Sequence, residues 1–322
     1  MSAVDADLRP GANPGAPGRG SSSAPPKDPK PPRPAKTARA KEPLWGRLRG
    51  IPVIIWVLMF SVLPNLILVV YSFWTSALGT VRPDFTLQNY GQLIGQEATR
   101  ILLGRTLMLA SISAVIAVVI GFLTAYAVIR WFPKQKLFLT ILVIIPLWSS
   151  FLMRIFSWKV ILGEEGVLNT VLLQLGLIDR PASVLLYSQF SVLIALVYVG
   201  IPYAYLAAYV TLDRIPNRLY EASSDLGANG FVTFWNVVWP IGRPAVGLGF
   251  VLVFIITYGD YVTPSLVGGF DGTMVGSLVL QAFGALNNWP LGAALAVITL
   301  VSGLVVVGVA TLLTRSRVVL ED

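Results

Sequence analysis

Six stretches of this chain approach or exceed the roughly 20 consecutive apolar residues needed to cross a bilayer. They run over about Ile51–Trp74, Leu107–Ile129, Leu137–Trp158, Leu185–Leu212, Val246–Val262 and Leu291–Leu313. Runs of this length predict helices, because a lipid-exposed strand leaves its backbone groups unpaired. The expected fold class is all-α, a polytopic membrane protein with six transmembrane helices. A composition of 55% hydrophobic and 12% charged residues agrees with that class and excludes an ordinary soluble domain.

The formal net charge of +8 is concentrated in one place. Ten Lys and Arg residues precede position 50 against four acids, which leaves about +2 for the rest of the chain. Residues 1–43, rich in Gly, Pro, Ser and Lys, lack the apolar side chains that would offset the entropy of ordering. They are expected to form a disordered, basic, cytoplasmic tail ahead of a membrane domain over 44–322. No short apolar run with a cleavage site precedes Ile51, so the first span is expected to stay in the protein. With no Cys and no His, imidazole and thiolate metal sites and nucleophilic triads are excluded. No Gly-Lys-Ser/Thr phosphate loop occurs either, so no nucleotide site and no cofactor is expected in this chain.

Lys and Arg cluster at alternate connections: before Ile51, at Arg130, Lys134 and Lys136, at Arg214, Arg218 and Arg243, and at Arg315 and Arg317. The positive-inside rule therefore puts both termini and the connection between the fourth and fifth spans in the cytoplasm. Pro64, Pro146 and Pro202 lie inside spans, where a missing N–H is expected to kink the helix.

That fourth connection, about residues 213–243, is the one long insert with its own helical pattern. Pro216 suits a first helical turn, Leu219, Ala222, Ser223 and Leu226 recur at helical spacing, and Gly227 is a natural left-handed stop. Asn229 is placed to cap a second helix carrying Phe231, Phe234, Trp235 and Val238 as an i, i+3, i+4, i+7 stripe, which Pro240 is expected to end. A stripe of that size calls for a partner. A DNA-binding helix-turn-helix would need a basic recognition face, and here Arg214, Arg218 and Arg243 are offset by Asp213, Glu221 and Asp225, so nucleic acid is not expected as a partner. An amphipathic loop lying on the bilayer or on its own bundle fits the periodicity equally well.

The residues separate these readings. Glu221, Ala222 and Ser223, three residues to Gly227, nine more to Val237, and Trp239-Pro240 after one, resemble the cytoplasmic motif of ABC importer permeases, Glu-Ala-Ala, three, Gly, nine, Ile, one, Leu-Pro. Ser223, Val237 and Trp239 are the departures; Asp225 to Ala228 fits the motif's common form. The segments Pro146–Arg154, Gly259–Pro264 and Trp289–Ala294 are similar to the spermidine/putrescine branch of that family. The resemblance implies half of a translocation pathway in a prokaryotic plasma (inner) membrane, paired with a second permease subunit. It also implies a dimer of ATP-binding cassette ATPases, which would bind the ATP, and an extracytoplasmic solute-binding protein. In that reading Glu221, Ala222, Ser223, Asp225, Gly227 and Pro240 shape a helix-turn-helix coupling loop, and Phe231, Phe234 and Trp235 anchor it on an ATPase.

Charged residues in spans call for a functional reading. Arg105, Arg154 and Asp260 are the candidates, all near predicted outer span ends where the head group can reach water. Asp260, between Tyr258 and Tyr261, and with Trp148, is the candidate solute pathway for a cation. Arg105 and Arg154 oppose that choice. The branch implies a polyamine as solute, another small organic solute being the alternative within the family. A secondary transporter would need acids near span centres, and a membrane enzyme clustered acid and base groups; the chain offers neither.

Overall fold

The computed structural model describes residues 51–77, 80–182 and 185–314. The expected tail over 1–43, and Arg315 and Arg317, lie outside the described residues. The chain divides into two units, Met1–Ile54 and Ile55–Asp322. In the first, residues 51–54 are described and helical; the elements that follow belong to the second.

The first apolar helix, α1 (Ile55–Tyr71), is shorter than a full crossing and widens into a π-turn at Leu58–Val62 just before Pro64. Instead of extending to Trp74, the chain turns at Ser72 into a small antiparallel hairpin, β1 (Thr75–Ala77) and β2 (Thr80–Arg82), with Thr75 opposite Arg82. Thr75, Thr80 and Val81 are β-formers that the apolar count overlooks. A short helix α2 (Gln88–Gly95) follows, and Asn89, buried, ties it back by donating to the carbonyls of Ser72 and Trp74 at 3.0 and 2.7 Å.

Among the described residues four helices are long and apolar enough to span: α3 (Glu97–Trp131), α7 (Gln189–Leu212), the continuous helix Gly230–Tyr258, and α12 (Trp289–Thr314). A bent pair supplies a fifth. The expected third span, Leu137–Trp158, is not a straight rod. Helix α4 (Lys136–Ile144) runs into a 3₁₀ turn at Ile145–Trp148, and the chain then bends by 95° into α5 (Phe151–Leu162) and α6 (Val167–Gln174). Pro146 removes a donor inside the 3₁₀ turn, and Ser149 and Ser150 take extended backbone angles, so the helical ladder cannot pass. Pro202, by contrast, is buried inside α7, which continues through it.

Helices α3, α7 and the helix ending at Tyr258 pack on one another to form the centre. Their contact faces carry Ala110, Ala114, Ala117, Ala125 and Ala195, all fully buried. Small faces let backbones approach until dispersion contacts are dense, which is how helices associate where lipid removes the hydrophobic drive. Gly121 marks the closest approach: a Cβ there would stand 2.7 Å from the Tyr205 amide nitrogen. Hydroxyls fasten further elements to α7, with Thr140 of α4 and Tyr205 2.7 Å apart and Ser191 donating to the Val267 carbonyl at 2.7 Å. The opposite faces expose Val115, Val119 and Leu123 on α3 and Leu300, Leu304 and Leu312 on α12, an outside-apolar arrangement suited to a lipid surround.

Candidate functional site

The insert begins where α7 ends. Lys136, at the start of α4, donates to Asp213 at 2.8 Å. Pro216, extended, then caps α8 (Asn217–Asp225). The sequence pattern led to Leu219, Ala222, Ser223 and Leu226 as the shared face of this helix, but the residue buried is Tyr220, while Leu226 is 89% exposed. Tyr220 enters a cluster with Phe122, Val128, Leu212 and Val238, and the Arg130 guanidinium lies over its ring at 4.6 Å. Burial pushes the Tyr220 phenol upward, with the neighbouring Tyr126 adding to this and Arg130 opposing it.

Gly227 closes α8 at φ +79°. Its N–H donates to the Ser224 carbonyl at 2.9 Å and that of Ala228 to Ser223 at 3.1 Å, the bond pair of a Schellman stop. The Asn229 side chain then accepts from the Val232 amide at 2.9 Å and starts α9 (Gly230–Thr233). The Ser223 and Thr233 hydroxyls lie 2.9 Å apart and fasten the two helices together. Pro240 does not end the second helix. A π-turn at Phe234–Val238 widens the backbone just ahead of the proline, and α10 (Trp239–Tyr258) carries the helix on without a break.

The aromatic stripe divides along its length. Phe234 packs edge-on to Tyr126 at 5.3 Å and Phe122 at 6.3 Å, and Val238 is fully buried, so both serve the bundle's own core. Phe231 and Trp235, 6.2 Å apart and 72% and 47% exposed, form the outer edge. Trp239, the departure from the motif's Leu, bridges the two sets at 6.1 Å from Phe122 and 5.6 Å from Trp235. Glu221, Ala222 and Asp225 are exposed, Ser223 is half-buried and Pro240 is exposed. Between α8 and the end of α3 runs a groove of about 440 Å³ lined by Arg130, Tyr220, Glu221, Ser224 and Asp225.

The candidate pathway residues separate into two places. Asp260, buried just past α10, turns its carboxylate onto its own chain: Oδ1 accepts from the amides of Val262 and Thr263 at 2.8 and 3.1 Å, and Oδ2 from the Thr263 hydroxyl. It caps the turn leading into the π-turn Pro264–Gly268. The buried Tyr258 hydroxyl meets Ser302 at 2.7 Å, and Tyr261 is half-exposed. Both rings line an apolar cavity of about 560 Å³ between α10, α11 (Val275–Phe283) and α12. Trp148 is not among its lining residues; it stands 81% exposed at the α4–α5 bend. Arg105 donates to the Asp271 carbonyl at 2.7 Å. Sequence pattern alone does not single out Tyr220 and Arg130, nor the pairing of Asp213 with Lys136, as what ties the insert to the bundle. The one available sign was that both cations end or begin a helix beside it.

Residues 117–319, which contain the insert, match the family described as binding-protein-dependent transport system inner membrane component. The chain is 32% identical to the spermidine/putrescine transport system permease protein PotB of Haemophilus influenzae over 75% of this chain and 84% of that one. It is 32% identical to the PotB of Escherichia coli K12 over 77% and 90%. Its fold is similar to that in a crystal structure of a bacterial ABC transporter involved in the import of the acidic polysaccharide alginate. That match has a TM-score of 0.67 and 17% identity and covers 86% of this chain and 96% of the other. These relatives are permeases rather than enzymes. The chain is thus a multi-pass inner-membrane transport subunit, and it belongs to the family of binding-protein-dependent transport system inner membrane components.

Proposed function

We propose that this chain is one of two permease subunits of an ATP-driven importer and that its solute is a polyamine. It crosses the membrane six times, with α1 and the bent α4–α6 pair each counting as a crossing and both termini and the 213–243 insert cytoplasmic. The insert seats on an ATPase subunit, which binds ATP, and a solute-binding protein delivers the solute from outside.

The observation that carries this reading is the two-sided build of the insert. One side is fastened to the bundle through Tyr220, Phe234 and Val238. The other presents Leu226, Phe231 and Trp235, while the exposed Glu221 and Asp225 line the groove between α8 and α3. Exposed aromatics on a knob that also carries exposed charge are the composition of a protein-binding hot spot. A knob rigidly attached to α3 and α10 passes any displacement to them. Glu221, at the head of the knob, makes the charged contact in that joint; Gly227 and Pro240 set its shape.

The polyamine assignment rests on the permeases named for spermidine and putrescine that share 32% identity with this chain. Exposed rings at Tyr261 and Trp148 supply cation-π faces, and Asp260, next to Tyr261 in the chain, holds the turn that positions that ring. Tyr258 lines the same cavity as Tyr261. Uptake of labelled spermidine and putrescine by a deletion strain lacking redundant systems tests the solute. Loss of uptake restored by the gene is expected, and unchanged uptake rejects the polyamine.

A further inference from the structure

Arg154, in the first turn of α5, is 9% exposed, and its Nε and Nη1 are buried with no hydrogen-bond partner among the described residues. No carboxylate among the described residues pairs with it. The Phe151 ring lies 5.6 Å from the guanidinium carbon. A guanidinium stays charged at any relevant pH, and a buried one without a counter-ion is strongly unfavourable. The side chain is therefore suited to receive an anionic oxygen from beyond the described residues.

The space beside it defines what brings that oxygen. Arg154 borders a cavity of about 290 Å³ whose lining includes Ser149, Ser157, Trp158 and Tyr198 and contains no acid. Ser149 and Ser157 already donate to the carbonyls of Pro146 and Met153, each at 2.9 Å, so the guanidinium is the cationic donor that the cavity offers. Trp158 and Tyr198, rings 5.5 Å apart, form the far wall of this cavity and also the wall of a second one. The second cavity, about 360 Å³, runs along α7 past Phe190, Leu193, Val197 and Ile201 and exposes no polar surface. A buried cation and an alkyl-lined groove thus meet at one aromatic wall.

We propose that this pair of cavities is a phospholipid site, with the phosphate diester on Arg154 and an acyl chain along α7. A free phosphate ion or a carboxylate of the second permease would meet the guanidinium but leave the groove without a role. The nearby Trp148 and Trp158 are of the type that gathers at headgroup level. The proposal is independent of the solute, and it gives Arg154 a use that does not place a cation in the path of one.

The test is native mass spectrometry of the assembled transporter, purified in mild detergent from membranes rich in phosphatidylglycerol and phosphatidylethanolamine. Wild type is expected to retain a tightly held phospholipid. Arg154→Gln and, separately, the groove-filling Val197→Trp should each lower its occupancy at least about ten-fold, since a charge-assisted hydrogen bond is worth more than a factor of ten. Arg154→Lys, which keeps the charge, should retain part of it, and Arg105→Gln, whose guanidinium is bound elsewhere, all of it. Equal retention by Arg154→Gln overturns the proposal. So does loss with Arg154→Gln but not Val197→Trp, coupled with displacement by inorganic phosphate, which marks a free-anion site. A lipid-free wild type in which Arg154 cross-links to an acidic residue of the second permease overturns it as well.

Discussion

Arg130 and Tyr220 join the end of α3 to the insert: the guanidinium sits 4.6 Å above a ring that is itself buried among Phe122, Val128 and Val238. The contact makes the knob part of the bundle rather than a pendant loop. Replacing Tyr220 by Ala removes the ring that anchors α8, a loss of about 3–5 kcal/mol for a buried aromatic. Tyr220→Phe keeps the packing and is expected to cost under about 1.5 kcal/mol. Hydrogen exchange of residues 217–225 in the purified transporter checks the pair, the Ala variant exchanging rapidly and the Phe variant near wild type.

The same ring gives the insert a pH limit. Because burial raises the Tyr220 phenol above the ordinary value of 10.0, the folded state favours the neutral ring. Its contribution is fully present below pH 10.0 and is lost as pH rises through the raised folded-state value. Protection of residues 217–225 should therefore decline at alkaline pH in wild type, and Tyr220→Phe should remove that part of the decline.

Gly227 is tested by conformation alone, because nothing lies within 4 Å of where its Cβ would be. At φ +79° an alanine meets only the left-handed penalty, about 1–2 kcal/mol, and Asn, which tolerates that region, meets less. Melting of the insert, followed by limited proteolysis between α8 and α9, should rank Gly227, Asn and Ala in falling order of resistance.

Two glycines on α3 should respond oppositely. A Cβ at Gly121 lands 2.7 Å from the Tyr205 nitrogen, whereas Gly104 has nothing within 4 Å. Gly121→Val is expected to force α3 and α7 apart and cost more than about 1–3 kcal/mol. Gly104→Ala is expected to gain about 1 kcal/mol of helix propensity. Thermal unfolding of the purified transporter in detergent separates them.

Much of this architecture is legible in hydropathy, and the misses have physical causes. Apolar length alone finds α3, α7, α10 and α12, because lipid demands an unbroken helical ladder. It cannot foresee that Pro146 breaks the chain by 95° while Pro202 is carried through α7, since that depends on whether neighbouring serines turn extended. The i, i+3, i+4, i+7 pattern correctly locates the stripe Phe231–Val238 yet treats it as one face. The π-turn and the helices behind it take Phe234 and Val238 inward and leave Phe231 and Trp235 outside. Asp260 reads in the sequence as a candidate pathway carboxylate, and in the structure it accepts from the amides two and three residues on.

That capping makes Asp260 separable from its charge. Asp260→Asn retains an acceptor for Val262 and Thr263 and is expected to change stability by less than about 1 kcal/mol, whereas Asp260→Ala loses the cap at about 0.5–2 kcal/mol. If the carboxylate also meets a cationic solute, Asp260→Asn lowers polyamine uptake with little effect on assembly. Uptake and thermal unfolding measured on the same preparations decide this.

The central claim, that the insert transmits work from an ATPase, is tested most directly through Glu221, which is exposed at the head of the knob. The measurement is solute uptake and solute-stimulated ATP hydrolysis by the transporter reconstituted with Glu221→Lys and shown to be fully assembled. The account predicts that both fall by about ten-fold or more, as expected where a charged contact at an interface is reversed. Full uptake together with full stimulation would contradict it.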